Sequence, residues 1–257
     1  MKTKIFLSVI ALFLACISFT YAQVSGEEII KQINNGENIS YKNIEIKGDL
    51  DFTTIEDKVL EKGDYKNSTD RYLCNINSRI EFENCTFKGK VIAYVPDDDW
   101  DRKNIIYVAN FLGGTIFKGC VFEEEANFKY TEFIKTANFE GAEFKELAFF
   151  KYSDFPEEPN FRNVTFHDEA FFKYTEFPHG VDFSNAKFMR EANFKYTEFP
   201  KGVNFKDAVF SRLANFKYAD FSEPFNLEEA ELNGEVDLKY AKIDGKGITL
   251  YLLKNRK

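Results

Sequence analysis

From residue 117 onward a large apolar residue returns at alternating steps of five and six, and this regularity restricts the possible folds more than any other feature. The series runs Phe117, Phe122, Phe128, Phe133, Phe139, Phe144, Phe150, Phe155, Phe161, Phe166, Phe172 and Phe177. It continues through Phe183, Phe188, Phe194, Phe199, Phe205, Phe210, Phe216, Phe221, Leu227, Leu232, Leu238 and Ile243 without a break. Two residues before each large residue stands a small one, as at Ala126, Thr131, Ala137, Ala142, Ala148, Ser153, Ala170, Val181, Ala192, Val203, Ala214 and Ala241. A longer period of 22 is superposed, seen in FKYTEF at 128–133, FKYSDF at 150–155 and FKYTEF again at 172–177 and 194–199.

An α-helix cannot carry this pattern. Positions five apart on a helix are separated by about 140°, so the phenylalanines would not share a face. Pro156, Pro159, Pro178, Pro200 and Pro224 would also interrupt it. An ordinary strand fails as well, because the alternation resets after about three residues. What fits is a very short extended segment in which the small and the large residue both point inward and the residue between them points outward. A corner follows each segment. Four such sides make one coil of 22 residues, and the next coil stacks on it in register, about 4.7–4.9 Å away.

The triplets Ala126-Asn127-Phe128, Ala137-Asn138-Phe139, Ala192-Asn193-Phe194 and Ala214-Asn215-Phe216 carry a resemblance to the Phe-centred pentapeptide-repeat proteins, whose sides read roughly A-(N/D)-F-x-x. The resemblance covers most of the chain after residue 22. It implies an all-β fold, a right-handed quadrilateral parallel β-helix. The chain departs from the family's usual 20-residue coil by one extra residue on alternate sides, which bears on how its corners are built.

Outside the regular repeat, five segments are expected. Residues 1–22 read as a signal peptide: Lys2 and Lys4 precede an apolar run from Ile5 to Ala15, and Thr20-Tyr21-Ala22 offers a cleavage site. The protein is therefore expected to be exported, either periplasmic or secreted. A competing reading makes Cys16 a lipidated N-terminus, but Phe13 stands where a lipobox prefers leucine. No later segment is long and apolar enough to be a transmembrane helix. Residues 23–36 are expected to form a capping helix, with Ser25 and Glu28 as a capping box, Ile29, Ile30 and Ile33 as its apolar stripe, and Asn35-Gly36 as its stop. The β-helix then occupies residues 37–247, with Ile39, Ile44, Leu50 and Ile55 as the large residues of the first coil. The register is lost near 56–75 and 96–108, where loop insertions are expected. Residues 248–257 remain as a C-terminal cap or tail; Ile248 to Leu253 is apolar enough to close the last coil or to pair with a second copy as a homodimer.

Composition excludes some functions. The net charge is −8, and removing residues 1–22 with their two lysines takes it to −10, which argues against nucleic acid or anionic membrane as a partner. Some cytosolic pentapeptide-repeat proteins mimic DNA and act on gyrase; the export signal and a lysine column argue against that role here. Three cysteines follow the leader, and this odd number is not a disulfide framework. Aligning EFENCTF with TIFKGCVF puts Cys85 and Cys120 at the small inward position of adjacent coils, either as core thiols replacing alanine or as a disulfide between neighbours. His167 and His179 have neither metal-ligand spacing nor a nucleophile nearby. No cofactor, metal or catalytic residue is indicated, and the chain reads as a binding protein, not an enzyme.

Two candidate surfaces remain. The period of 22 aligns Tyr130, Tyr152, Tyr174, Tyr196, Tyr218 and Tyr240 as an outward ladder. Lys129, Lys151, Lys173, Lys195, Lys217 and Lys239 run beside it, and Glu132, Asp154, Glu176, Glu198 and Asp220 follow on the next side. Stacked like charges repel, so the acids are expected to offset the lysines. The Tyr/Lys/Glu face suits an unidentified protein partner; a glycan stacked on the rings is the alternative. The same ladder is also what duplicated coils would leave behind without a function. The second surface is the insertion VPDDDWDRKN, which holds the only tryptophan, Trp100, among Asp97, Asp98, Asp99 and Asp101. It matches no defined calcium loop and reads foremost as a solvated loop.

Overall fold

The computed structural model describes residues 22–63, 69–96 and 105–248. Over this range the chain is a parallel β-helix of four sides, opened by one helix. Side I is traced by Ala137-Asn138-Phe139, side II by Ala142-Glu143-Phe144, side III by Ala148-Phe149-Phe150 and side IV by Ser153-Asp154-Phe155. Equivalent residues pair in parallel from coil to coil, as in Ala126↔Ala148↔Ala170↔Ala192↔Ala214 on side III. The sheet on side III has eight strands, one per coil. Side II has nine, because Gln23–Ser25 is itself extended and pairs with Glu45–Lys47 beneath the first coil.

Corner chemistry explains the alternation of five and six. Each step of five contains a tight turn in which the small residue of the next side donates its backbone N–H to the preceding large residue. Thr131 bonds to the carbonyl of Phe128 at 3.2 Å and Ala142 to that of Phe139 at 2.9 Å. The third residue of such a turn needs positive φ. Between sides I and II that residue is Asn43, Asn84, Gly119, Gly141, Asn163, Asn185, Asp207 or Glu229. Between sides III and IV, from the third coil on, it is always a tyrosine. Each step of six inserts one more residue at the corner and uses the other two edges of the quadrilateral.

The core is a stack of phenylalanine columns. Phe172, fully buried, lies 5.0 Å from both Phe150 and Phe194 in parallel stacks and meets Phe161 and Phe183 edge-on. Burying each such ring is worth on the order of 1.5–3 kcal/mol, with a smaller increment from ring geometry. Side IV places hydroxyls at the small position, and each reaches a carbonyl of the coil before: Ser153, Thr175 and Thr197 donate to Phe128, Phe150 and Phe172 at 2.6–2.7 Å. The Thr131 hydroxyl, at the same position one coil earlier, finds no protein partner.

The first coil corrects the expected register. Its large inward residues are Tyr41, Ile46 and Phe52, which align with Phe82, Phe87 and Ala93. Ile39, Ile44 and Leu50 occupy the small positions of the same sides. The small column has the same alternation as the large one, so spacing alone cannot separate them; here branched residues fill both. Helix α1 (Gly26–Asn34) closes the base beneath this coil, with Ile29, Ile30 and Ile33 buried and the Ser25 side chain accepting from the Glu28 N–H. Gly26 packs so closely that a Cβ there would stand 2.0 Å from the carbonyl oxygen of Asp49.

Where they are described, the expected loop insertions carry strands. Strands β1 (Lys58–Glu61), β2 (Asp70–Ile76), β3 (Tyr94–Pro96) and β4 (Ile105–Phe111) form one sheet in the order β3-β4-β2-β1. Each insertion is an antiparallel hairpin, and the two stack because β2 and β4 pair in parallel over seven residues. Their ends, Cys74–Ile76 and Ala109–Phe111, serve as side IV of the first and second coils. Among the described residues no helix is long and apolar enough to cross a membrane. At the far end Ile248 is buried, with its N–H on the Ala241 carbonyl; the rest of the expected cap, 249–253, lies outside the described residues, as do the leader residues 1–21 with Cys16.

Candidate functional site

Six tyrosines occupy the corner between sides III and IV in successive coils, at φ of 58–63°. Non-glycine residues adopt this region rarely, and bulky ones least. Tyr130, Tyr152, Tyr174, Tyr196, Tyr218 and Tyr240 stack in one continuous pile, with centroids 4.7–4.9 Å apart and planes within 20°. Each ring therefore spends its faces on its neighbours and turns its edge and hydroxyl outward. Tyr240, at the end of the pile, is the most exposed of them. At the other end Tyr94 of β3 leans on Tyr130 at 5.4 Å, and Arg71 of β2 lies 5.8 Å from the Tyr130 ring. The insert sheet thus abuts the first rung.

The lysines pack against the same rings. Lys151, Lys173, Lys195, Lys217 and Lys239 hold their ammonium groups 4.6–5.6 Å from the ring centre of the tyrosine that follows. Lys129 instead sits 4.2 Å over Phe149. None of these six lysines forms a direct ion pair with a described residue, so any offset by the acidic column acts across the corner and not through contact. The acids lie round the corner on side IV, stacked on one another from Glu132 to Asp220. Some lysines elsewhere are paired, as Lys42 is to Glu83 and Lys206 to Glu228, while others, such as Lys187 and Lys242, form no ion pair with a described residue. Burial, then the neighbouring charges of Lys173 and Lys129, depresses the Lys151 ammonium pKa. Burial, then Asp154 and Glu61, raises the Glu132 carboxyl.

One part of this face escaped sequence reading. Phe149 and Phe171 are the outward residues of side III, where the coils on either side carry Asn127 and Asn193, and their rings stack at 5.0 Å beside the lysines. The signal was the doublet Phe149-Phe150 and its repeat at Phe171-Phe172, whose first members fall between the two inward positions. Trp100 and its aspartates lie outside the described residues.

Among the described residues, the other titratable groups form no second cluster. Cys74, Cys85 and Cys120 are buried free thiols. The Cys120 thiol is raised by burial and by its hydrogen bond to Cys85, and the same bond draws Cys85 down to about 7. Among the described residues no three His, Cys, Asp or Glu side chains are arranged to hold a metal ion. His167 lies at the surface, 3.6 Å from Glu143.

Comparison with known proteins accords with the coil pattern. A family model described as pentapeptide repeats (9 copies) matches residues 109–154, 150–198 and 194–242, more than half of the chain. No curated protein and no solved structure matches.

Proposed function

Because the chain belongs to the pentapeptide-repeat family, we propose that it is a non-catalytic, exported scaffold that presents its Tyr/Lys corner to a protein partner. The observation that carries this reading is the unpaired lysine column on the tyrosine pile. Six like charges recur once per coil, without ion-pair partners among the described residues, in a chain of net charge −8. Such a column is unfavourable in isolation and becomes favourable against a complementary surface. The tyrosine hydroxyls and ring edges beside it add the mixed apolar and polar contacts typical of interface aromatics. The glycan alternative needs open ring faces, which the pile leaves only at its ends.

A pull-down from the cell envelope tests the proposal, with the protein and a Tyr174→Ala/Tyr196→Ala variant as baits. A protein captured by the first and lost from the second supports the corner as a binding face. Equal capture by both would refute it and move attention to the segment around Trp100. Export is tested separately by fractionation: intact mass should show cleavage after Ala22, and a cytoplasmic, uncleaved chain would overturn it.

A further inference from the structure

The tyrosine corner has a lysine flank on one side and a carboxylate flank on the other; the lysines repeat over six coils and the carboxylates over five, from Glu132 to Asp220, with Lys242 in the acid's place in the last. Lys151, Lys173 and Lys195 stand on the side III flank; Asp154, Glu176 and Glu198 stand on side IV, paired coil to coil. A ligand that matches the lysines along their length must carry anions at the coil rise, roughly 4.8 Å. An extended peptide is out of step, since its same-face side chains recur every ~6.6 Å. The acidic flank of a second copy has that rise by construction.

We propose that this corner is self-complementary and that two copies of the chain associate side by side through it, coil axes parallel, about a twofold axis running along the stack. This deepens the reading of the corner as a protein-binding face and rests on it. The twofold lays the lysine flank of one copy against the carboxylate flank of the other, on both sides of the axis. Each coil then meets its own counterpart, with the two tyrosine piles edge to edge between them. A twofold lying across the stack would bring lysines onto lysines, so the charge order selects the parallel arrangement. The interface is isologous and closes at two copies. It is a narrow ridge, roughly 24 Å long for six coils at ~4.8 Å rise, and so belongs with small, weak interfaces. Association should be concentration-dependent and weakened by salt.

Sedimentation of the purified protein over a concentration series, at low and high salt, tests this with two charge-reversed variants. One carries Lys151→Glu, Lys173→Glu and Lys195→Glu and has acids on both flanks. The other carries Asp154→Lys, Glu176→Lys and Glu198→Lys and has lysines on both. Wild type is expected to dimerise reversibly and to lose at least tenfold in affinity at high salt. Each variant alone should be monomeric, and an equimolar mixture should form a one-to-one heterodimer; thermal melts verify that both are folded. A wild type that stays monomeric throughout overturns the proposal, as does self-association indifferent to salt and to both reversals. Monomeric wild type whose Tyr174/Tyr196-dependent capture of another protein persists would remove self-association and leave the binding face standing.

Discussion

Positive φ costs a side chain bearing a Cβ roughly 1–2 kcal/mol, and the corner between sides III and IV places a tyrosine there in six successive coils. The corresponding corner between sides I and II uses mostly asparagine, aspartate and glycine, the residues that tolerate this conformation. Tyrosine must recover the difference through its ring. Tyr174 stacks on Tyr152 and Tyr196 and carries Lys173 at 4.6 Å. Stacked pairs contribute about 0.5–1.5 kcal/mol each. Tyr174→Asn should therefore relax the backbone yet lower stability by about 1 kcal/mol in a denaturant titration. An asparagine variant more stable than wild type would show that the ring is kept against the interest of folding, for binding alone. The position of these tyrosines was legible from the period of 22; their conformation was not, because nothing in the spacing says which way a corner turns.

At the scale of the element, a side is only three residues long and owes nothing to strand propensity. It exists because the inward pair is covered by the coils above and below, and because the corner allows the chain to turn. Corner residues are therefore as decisive as core residues. On the longer corner between sides IV and I, Gly180 and Gly202 have φ near 90° and close turns onto Phe177 and Phe199. A Cβ on Gly202 would lie 2.3 Å from the Pro224 carbonyl oxygen, whereas on Gly180 the nearest contact is 3.2 Å, to Lys201. Gly202→Ala should cost about 2–4 kcal/mol, and Gly180→Ala less, the difference being steric where the dihedral term is shared. Thermal melts of the two variants check the order; equal losses would mean that the corner relaxes freely. The hairpins in the first two coils were legible only as breaks in register. Their strands pair across insertions separated in sequence, β2 with β4, and each is held by the coil it leaves and rejoins.

For the whole molecule, stability is close to a sum of coil contributions and contacts between neighbours, so it should fall toward an end that lacks one neighbour. In the last described coil Phe225, Leu227, Val236 and Leu238 are only partly buried and Leu232 is exposed, whereas the inward phenylalanines from Phe139 to Phe205 are fully covered. Hydrogen exchange should show amides of residues 225–243 exchanging at least tenfold faster than those of 137–199, with the base over α1 protected. Uniform protection would indicate that the far end is closed as firmly as the near one. The sequence by itself determined the β-helix, its 22-residue coil and which residues line the core from Phe117 onward. A period kept over so many coils admits only one stack, because each inward pair must meet its equivalent. Only the tertiary structure decided the register of the first coil, the union of the two insertions in one sheet, the ring faces buried within the tyrosine pile and the isolation of the lysines from the acids. Each depends on the distance and direction between side chains of different coils, and a one-dimensional spacing contains neither.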